Sequence, residues 1–590
     1  MLSSSFLLLL AAALTAATPV SNSSSLSGVC TIAYAKASLP LDAVDGITID
    51  PSSVSVQEVS NYTSSGSVTL PDATIDYCNV TFTYSHDGLD DTVYLTFFAP
   101  APADFQNRYL STGGGGYSIS SGAMALVGGP IYGAVAGETD GGSGGADANT
   151  EWLVANGTVD WHNVYMFSHE AHNELTMIGK AFTKLFFDMD NSTRLYSYYQ
   201  GCSEGGREGW SQIQRYGDEW DGAAIGAPAF RFSFQQLNHI YSAFVEQTLE
   251  YAPPPCEMEK ITNATVAACD ELDGKADGVV ARTDLCKLQF DLDTVIGESY
   301  YCAASTGMSG MPGGPLRKRQ MPSSQSTPAQ NGTVTARGVA VAKQILRGAH
   351  DTQGRRFYLS YQPTSGFADA QTTYNTSTAQ WQISPQSSGT EFKAKMLDEH
   401  NTTTFALESY SYDDLRDWMV TGMHKYADSV QTDWPDLTPF HRAGGKVLHY
   451  HGESDGSIPA ASSVRYWNAV REIMYPDLPL LEGSEKLGEW YRLYLIPGAG
   501  HCGTNSLMPN GPFPQTVLGT VIEWVERGVR PGLLEARVLS GENVGEEQGV
   551  CAWPLRPLWT NGGRQMECRF DQESVDAWTF DFDGVKMPVY

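Results

Sequence analysis

The run Leu195-Tyr-Ser-Tyr-Tyr-Gln-Gly-Cys-Ser203-Glu-Gly-Gly-Arg207-Glu-Gly-Trp-Ser-Gln-Ile-Gln-Arg-Tyr216 changes period in mid-course. Its first six residues are apolar and aromatic enough for a buried strand, and the residues from Arg207 onward place Trp210 and Ile213 on one face of a helix. Between them lies Gly201-Cys-Ser-Glu-Gly205. In a strand-to-helix setting this Gly-x-Ser-x-Gly turn lifts a serine hydroxyl clear of the sheet and aims the next backbone N–H at the same point. The same texture extends outward. From about Leu95 to Ala227, strand-like runs alternate with glycine-rich turns and helical stretches, which predicts βα units around a mainly parallel sheet. A second such region begins at Lys446-Val-Leu-His-Tyr-His and ends in a helix near Val517 to Arg527.

A serine hydroxyl is a weak nucleophile until a histidine takes its proton, and that histidine needs an acid to fix its tautomer. The Gly-x-Ser-x-Gly pattern occurs three times, around Ser143, Ser203 and Ser454. Ser143 lies in Gly141-Gly-Ser-Gly-Gly with no strand before it or helix after it, and Pro459 delays any helix after Ser454. Ser203 is therefore the expected nucleophile. His501, in Pro497-Gly-Ala-Gly-His-Cys-Gly after the strand Trp490 to Ile496, is the expected base, and Asp455 the expected acid with Glu453 as its rival. The chain order Ser, Asp, His is that of an α/β hydrolase. His169 and His172, in His-Glu-Ala-His, lack the i, i+4 spacing that puts two metal ligands on one helix face and are read as structural.

The fold class expected is thus α/β, an α/β-hydrolase core with a large inserted lid. At 590 residues the chain exceeds what one core usually organises. The segments expected are a signal peptide over 1–18, a first catalytic part over 19–235, a lid domain over 236–440 and a second catalytic part over 441–590. The lid stretch has Asp-Gly turns and a Gly/Pro/Ser-rich passage from Ser305 to Thr335, without strong strand alternation. Within it Arg317-Lys318-Arg319 is a tribasic cluster in an acidic chain, open to a dibasic-cutting protease or simply an exposed charge cluster.

The apolar run Phe6 to Ala17 reads as a secretory signal cut near Ala17 or Thr18. Nine N-x-S/T sequons, at Asn22, Asn61, Asn79, Asn156, Asn191, Asn263, Asn331, Asn375 and Asn401, agree with export to an extracellular setting. Ten cysteines without a C-x-x-C pair predict a disulfide framework. A formal charge of −30 argues against nucleic acid and anionic membranes as partners, because both would be repelled at neutral pH. A neutral small-molecule substrate fits better.

Cys202 immediately precedes the expected nucleophile and Cys502 immediately follows the expected base. A bond between them would lash the serine turn to the histidine loop. Glu204 N–H is expected to bind the oxyanion, with a second donor from the glycine run Gly113 to Gly116 after the strand Tyr109-Leu-Ser-Thr, and Gly114 and Gly115 as the candidates. In Cys269-Asp-Glu-Leu-Asp-Gly-Lys-Ala-Asp-Gly-Val-Val, Asp270, Asp273 and Asp277 crowd oxygen ligands into one loop, which reads either as a calcium site or as a solvated acidic turn. Tyr358, Trp381 and Trp418 are lid aromatics that either stack on a substrate ring or pack.

At Gly201-Cys-Ser-Glu-Gly-Gly, His501-Cys502 and the loop after Cys269, the chain resembles the tannase and feruloyl esterase family over nearly its whole length. The resemblance implies a serine esterase acting on aromatic esters: galloyl esters of tannins, or alternatively hydroxycinnamoyl esters. It implies the triad Ser203, Asp455 and His501, and a structural Ca2+ on Asp270, Asp273 and Asp277 with the carbonyls of Lys275 and Val279. Disulfides Cys202–Cys502, Cys30–Cys78, Cys256–Cys302, Cys269–Cys286 and Cys551–Cys568 are implied in the same way. Cleavage near Arg319 would leave two chains joined through Cys202–Cys502. Many relatives carry a bulky aromatic where Ser454 precedes the acid.

Overall fold

The computed structural model describes residues 25–306, 326–402, 404–586 and 590. The expected signal segment and Arg317-Lys318-Arg319 lie outside them. Nine strands form one sheet: β1 (Ile47–Ser64), β2 (Ala73–His86), β3 (Val93–Pro100), β4 (Arg108–Thr112), β5 (Ala134–Thr139), β6 (Tyr196–Cys202), β7 (Gly222–Gly226), β8 (Lys446–Gly452) and β9 (Tyr491–Ile496). Their order is β1-β2-β3-β5-β4-β6-β7-β8-β9. From β5 to β9 every neighbouring pair is parallel, while β1, β2 and β3 join as antiparallel strands at one edge. The central strands are buried on both faces, as a parallel sheet covered by helices requires.

The helices that position the site are α1 (Ala171–Phe186), α2 (Glu204–Arg215), α3 (Phe232–Asn238), α4 (Pro255–Cys269), α5 (Ala461–Met474) and α6 (Val517–Arg527). Glycine allows α2 its close seat. A Cβ on Gly205 would lie 2.8 Å from the Gly114 carbonyl oxygen, and one on Gly206 would lie 2.4 Å from the Gly226 oxygen. Strand β7, Gly-Ala-Ala-Ile-Gly, is small for the same reason, because Val521 and Val525 of α6 press on Gly222.

Residues 227–445 separate β7 from its neighbour β8 and add no strand to the main sheet. The insertion is helical with short two-stranded ribbons, and it shares one apolar core with the sheet through Phe230, Phe232, Phe234, Phe392 and Tyr426. The C-terminal residues also stand outside the main sheet, in ribbons such as Leu555–Thr560 paired with Gln565–Phe570. All five disulfides have the partners the resemblance implied.

Tyr358, Trp381 and Trp418 all pack against neighbouring side chains of the insertion. Tyr358 is fully buried and tilted against Phe234, Trp418 sits among Phe244, Phe405, Tyr410 and the Lys393 ammonium, and Trp381 meets Tyr374 across a hairpin.

Candidate active site

Ser203 stands between β6 and α2 with φ 65° and ψ −121°, a conformation that costs a non-glycine residue free energy and persists only when its surroundings impose it. Here the Ser203 N–H donates to the Gly226 carbonyl at 3.1 Å, and its own carbonyl accepts from Arg207 at 3.0 Å and Ala229 at 3.2 Å. The flanking glycines are needed for space, since a Cβ on Gly201 would meet the Gly205 carbonyl at 2.5 Å.

The sheet order brings three strand ends together. Ser203 follows β6, Asp455 follows β8 and His501 follows β9. His501 Nε2 is 2.8 Å from Ser203 Oγ, and His501 Nδ1 is 2.8 Å from Asp455 Oδ2. The Cys202–Cys502 bond ties the two loops across a sequence separation of 300. Asp455 is fully buried, and its Oδ1 accepts the N–H groups of Ser457 at 2.8 Å and Ile458 at 2.9 Å. Burial alone would raise its pKa. The His501 charge and the hydrogen bonds from His451 and His501 outweigh burial and hold the carboxyl well below the usual carboxylate range. The arrangement places a base on the serine and a fixed anion behind the base.

The rival residues have other work. Glu453 accepts from Arg556 at 2.8 Å and from Thr283 at 2.6 Å, inside a buried network with Asp284 and Arg282. Ser454 shares a hydrogen bond of 2.7 Å with Thr364, and Ser143 donates to carbonyls of its own turn. His169 meets the Tyr216 hydroxyl at 3.0 Å, and His172 is buried 3.1 Å from Glu208. Both are structural, as expected. His86, Asp91 and His162 also bring ligand-type atoms together. The His86 ring there lies between Asp91 at 2.5 Å and Glu174 at 3.0 Å, and although burial lowers its pKa, the hydrogen bonds and charges of the two carboxylates outweigh burial and raise it.

The glycine loop requires a correction. Gly114 N–H donates to Glu208 Oε2 at 2.8 Å and Gly115 N–H donates to Ser118 O at 2.9 Å, so neither expected second donor offers its hydrogen to an oxyanion. The loop is instead clamped to α2 from both sides, because Gly205 N–H donates to the Gly114 carbonyl at 3.0 Å. Glu204 N–H, at the first turn of α2, has no acceptor among the described residues and sits at the positive end of the helix dipole. The buried Glu204 carboxyl points elsewhere, onto Arg207 Nε at 2.6 Å.

Sequence reading also missed a polar cluster that the insertion holds beside the Asp455 loop. Gln235 Nε2 donates to the Ser457 carbonyl at 2.6 Å, and Tyr361 OH bonds Asp369 and Ser457 O, each at 3.1 Å. His239 Nδ1 lies 3.0 Å from Asp369, which raises the imidazole pKa against the opposing effect of burial, with the Asp455 charge adding. The signal in the sequence was the polar run Gln235-Gln-Leu-Asn-His239, which spans the end of α3 and its C-cap and is buried throughout.

In the acidic loop, Asp270 Oδ1 accepts three backbone N–H groups, from Asp277, Gly278 and Val279, and Asp273 Oδ1 accepts Lys275 N–H at 2.9 Å. Burial pushes the Asp273 carboxyl up to about 7, with Asp277 and Asp270 adding. One ammonium, Lys275, reaches Asp277 at 2.9 Å. The carbonyls of Lys275 and Val279 accept no hydrogen bond among the described residues. The carboxylates and free carbonyls are oxygen donors of the kind a hard divalent cation takes, but Asp270, Asp273 and Asp277 are not drawn together onto one point as His86, Asp91 and His162 are.

Fold and site together define an α/β hydrolase with a Ser-His-Asp arrangement. The family model for tannase and feruloyl esterase matches residues 78–572, and the chain belongs to that family. The tannase of Aspergillus oryzae is 51% identical over 96% of this chain and 97% of its own length. The solved tannin acyl hydrolase from Aspergillus niger superposes with a TM-score of 0.92 at 56% identity, covering 96% of this chain and 100% of that one. A probable feruloyl esterase of Arthroderma benhamiae is 29% identical over 85% of this chain and 86% of that protein.

Proposed function

We propose that this chain is a tannin acyl hydrolase that cleaves galloyl esters through an acyl-enzyme on Ser203. The observation that carries the chemistry is the continuous contact Ser203–His501–Asp455, two hydrogen bonds of 2.8 Å each. The substrate class follows from likeness to tannases at 51% and 56% identity. Ser203 Oγ attacks the ester carbonyl while His501 takes its proton, and Asp455 stabilises the imidazolium. Glu204 N–H donates to the oxyanion. His501 returns the proton to the leaving alcohol, and water then repeats the sequence to release the acid.

The inserted segment acts as a lid, and its polar cluster of Gln235, His239, Tyr361 and Asp369 provides partners for phenolic hydroxyls. A ferulate ring, with a methoxy group and one hydroxyl, leaves part of that cluster unpaired, at roughly 1 to 3 kcal/mol for each lost partner. The expected result is a kcat/KM on methyl gallate at least about tenfold above that on methyl ferulate. The reverse preference assigns the chain to feruloyl ester hydrolysis.

Asp270, Asp273 and Asp277 with the carbonyls of Lys275 and Val279 would hold Ca2+, which supplies charge neutralisation to the loop. After EDTA treatment, thermal unfolding is expected several degrees lower, with recovery on adding Ca2+ and none with Na+. No change on either step contradicts the site.

The N-terminal apolar run and exposed sequons at Asn61, Asn156, Asn191, Asn263, Asn331 and Asn401 support secretion as a glycoprotein. No described helix is long and apolar enough to cross a membrane. Cleavage at the tribasic cluster would leave Cys202–Cys502 as the covalent link between the pieces, since the other four disulfides each fall on one side of it.

A further inference from the structure

Asp455 has a second histidine. His451, on β8, places Nε2 at 3.1 Å from Asp455 Oδ2, the same oxygen that takes His501, and at 3.0 Å from the Ile458 carbonyl. Both neighbours of that nitrogen are acceptors, so it carries a hydrogen. Nδ1 of the same ring is 2.6 Å from Ser463 Oγ on α5. Ser463 Oγ is 2.8 Å from His449 Nε2, and His449 Nδ1 is 2.8 Å from the Tyr491 hydroxyl at the start of β9. His449 and His451 alternate along β8 and face one side of the sheet, where β9 delivers Tyr491 opposite Val447.

The polarity of this chain is determined. His449 is fully buried among Trp210, Phe230, Tyr466 and Tyr491, and burial holds its pKa well below the ordinary value. It carries one ring hydrogen. If Nδ1 bore that hydrogen, the Tyr491 hydroxyl would be left without an acceptor, because the described residues give it no other partner. Tyr491 therefore donates to His449, His449 Nε2–H to Ser463, Ser463 to His451, and His451 Nε2–H to Asp455. Every step donates toward the carboxylate, in dry surroundings where such chains strengthen one another.

We propose that His451 is a positioning residue for the esterase reaction, held in tautomer and orientation by the Tyr491–His449–Ser463 chain so that its Nε2–H fixes Asp455 Oδ2 and moderates its basicity. The inference rests on the reading of Asp455 as the acid behind His501. With four donors on two oxygens, the carboxylate is fully occupied, so it orients the imidazolium without taking its proton. A carboxylate short of one donor holds the imidazolium more tightly, which moves the acid limb of kcat/KM to higher pH. The other titratable groups near Asp455 are His239 and Tyr361 from the lid, with Asp369 behind them, and Glu453, which is paired with Arg556. All four are unchanged in the variants below.

The test measures kcat, KM and the pH profile of kcat/KM on methyl gallate for His451→Leu, His451→Gln, Ser463→Ala and Tyr491→Phe, with thermal unfolding as a check on folding. His451→Leu is expected to lower kcat by about tenfold or more with KM nearly unchanged, and to shift the acid limb upward by about half a pH unit. His451→Gln, whose amide N–H can reach Asp455, should recover most of both. Ser463→Ala and Tyr491→Phe should shift the limb in the same direction by less, and they carry the test if His451→Leu does not fold. Folded variants with an unmoved acid limb and kcat within about twofold of the wild type overturn the proposal. Asp455→Asn serves as the reference: if it retains full activity, the reading of the acid has failed rather than the role of His451.

Discussion

Ser203→Ala is expected to lower kcat on methyl gallate by at least about 10⁴-fold while KM and the unfolding temperature stay close to those of the wild type. The argument is geometric. The serine occupies a strained backbone position at φ 65°, held by the Gly226 carbonyl and by its own carbonyl's bonds to Arg207 and Ala229. None of these bonds uses the hydroxyl, whose protein partner is His501 Nε2 at 2.8 Å. Removing it takes away the nucleophile and leaves the scaffold. Initial rates over a range of substrate concentrations, with calorimetric unfolding of both proteins, check this. Activity within tenfold of the wild type would mean that another group attacks the ester.

Removing the Cys202–Cys502 bond as the double alanine variant is expected to act on both stability and catalysis. The chain-entropy model assigns a tether across a loop this long about 6 kcal/mol, as an upper value because the other disulfides already restrict the unfolded chain. The larger consequence is local. Ser203 and Cys502 both have positive φ, at 65° and 55°, so each turn stores strain that the bond to its neighbour helps to contain. A displacement of about 1 Å between serine and imidazole costs roughly 10²-fold in rate. We therefore expect kcat to fall by about 10²-fold and the unfolding temperature to drop together. Unchanged kcat in a destabilised variant would show that the sheet alone aligns the two loops.

The elements most legible in the sequence were those in which one short segment carries its own context. Ser203 could be separated from Ser143 and Ser454 because its strand and helix adjoin it in sequence, and His501 and Asp455 because each follows a strand. What escaped notice depends on contacts between distant segments. Gly114 looked free because nothing near it in sequence shows that Glu208, 94 residues on, takes its N–H. His449 and His451 read as ordinary residues of a strand. Their role became visible only when β9 delivered Tyr491 and α5 delivered Ser463 to the same face. The insertion was legible by its texture, but not its interior, since the partners Gln235 and Ser457 or His239 and Asp369 are brought together by packing that carries no local period.

The most direct measurement of the central claim is mass-spectrometric mapping of the protein after inactivation by a fluorophosphonate. The account predicts one phosphonyl group, on the peptide carrying Ser203, with activity lost in proportion to its occupancy and no labelling of Ser203→Ala. Loss of activity with the label on another side chain, or full occupancy of Ser203 with activity retained, would contradict it.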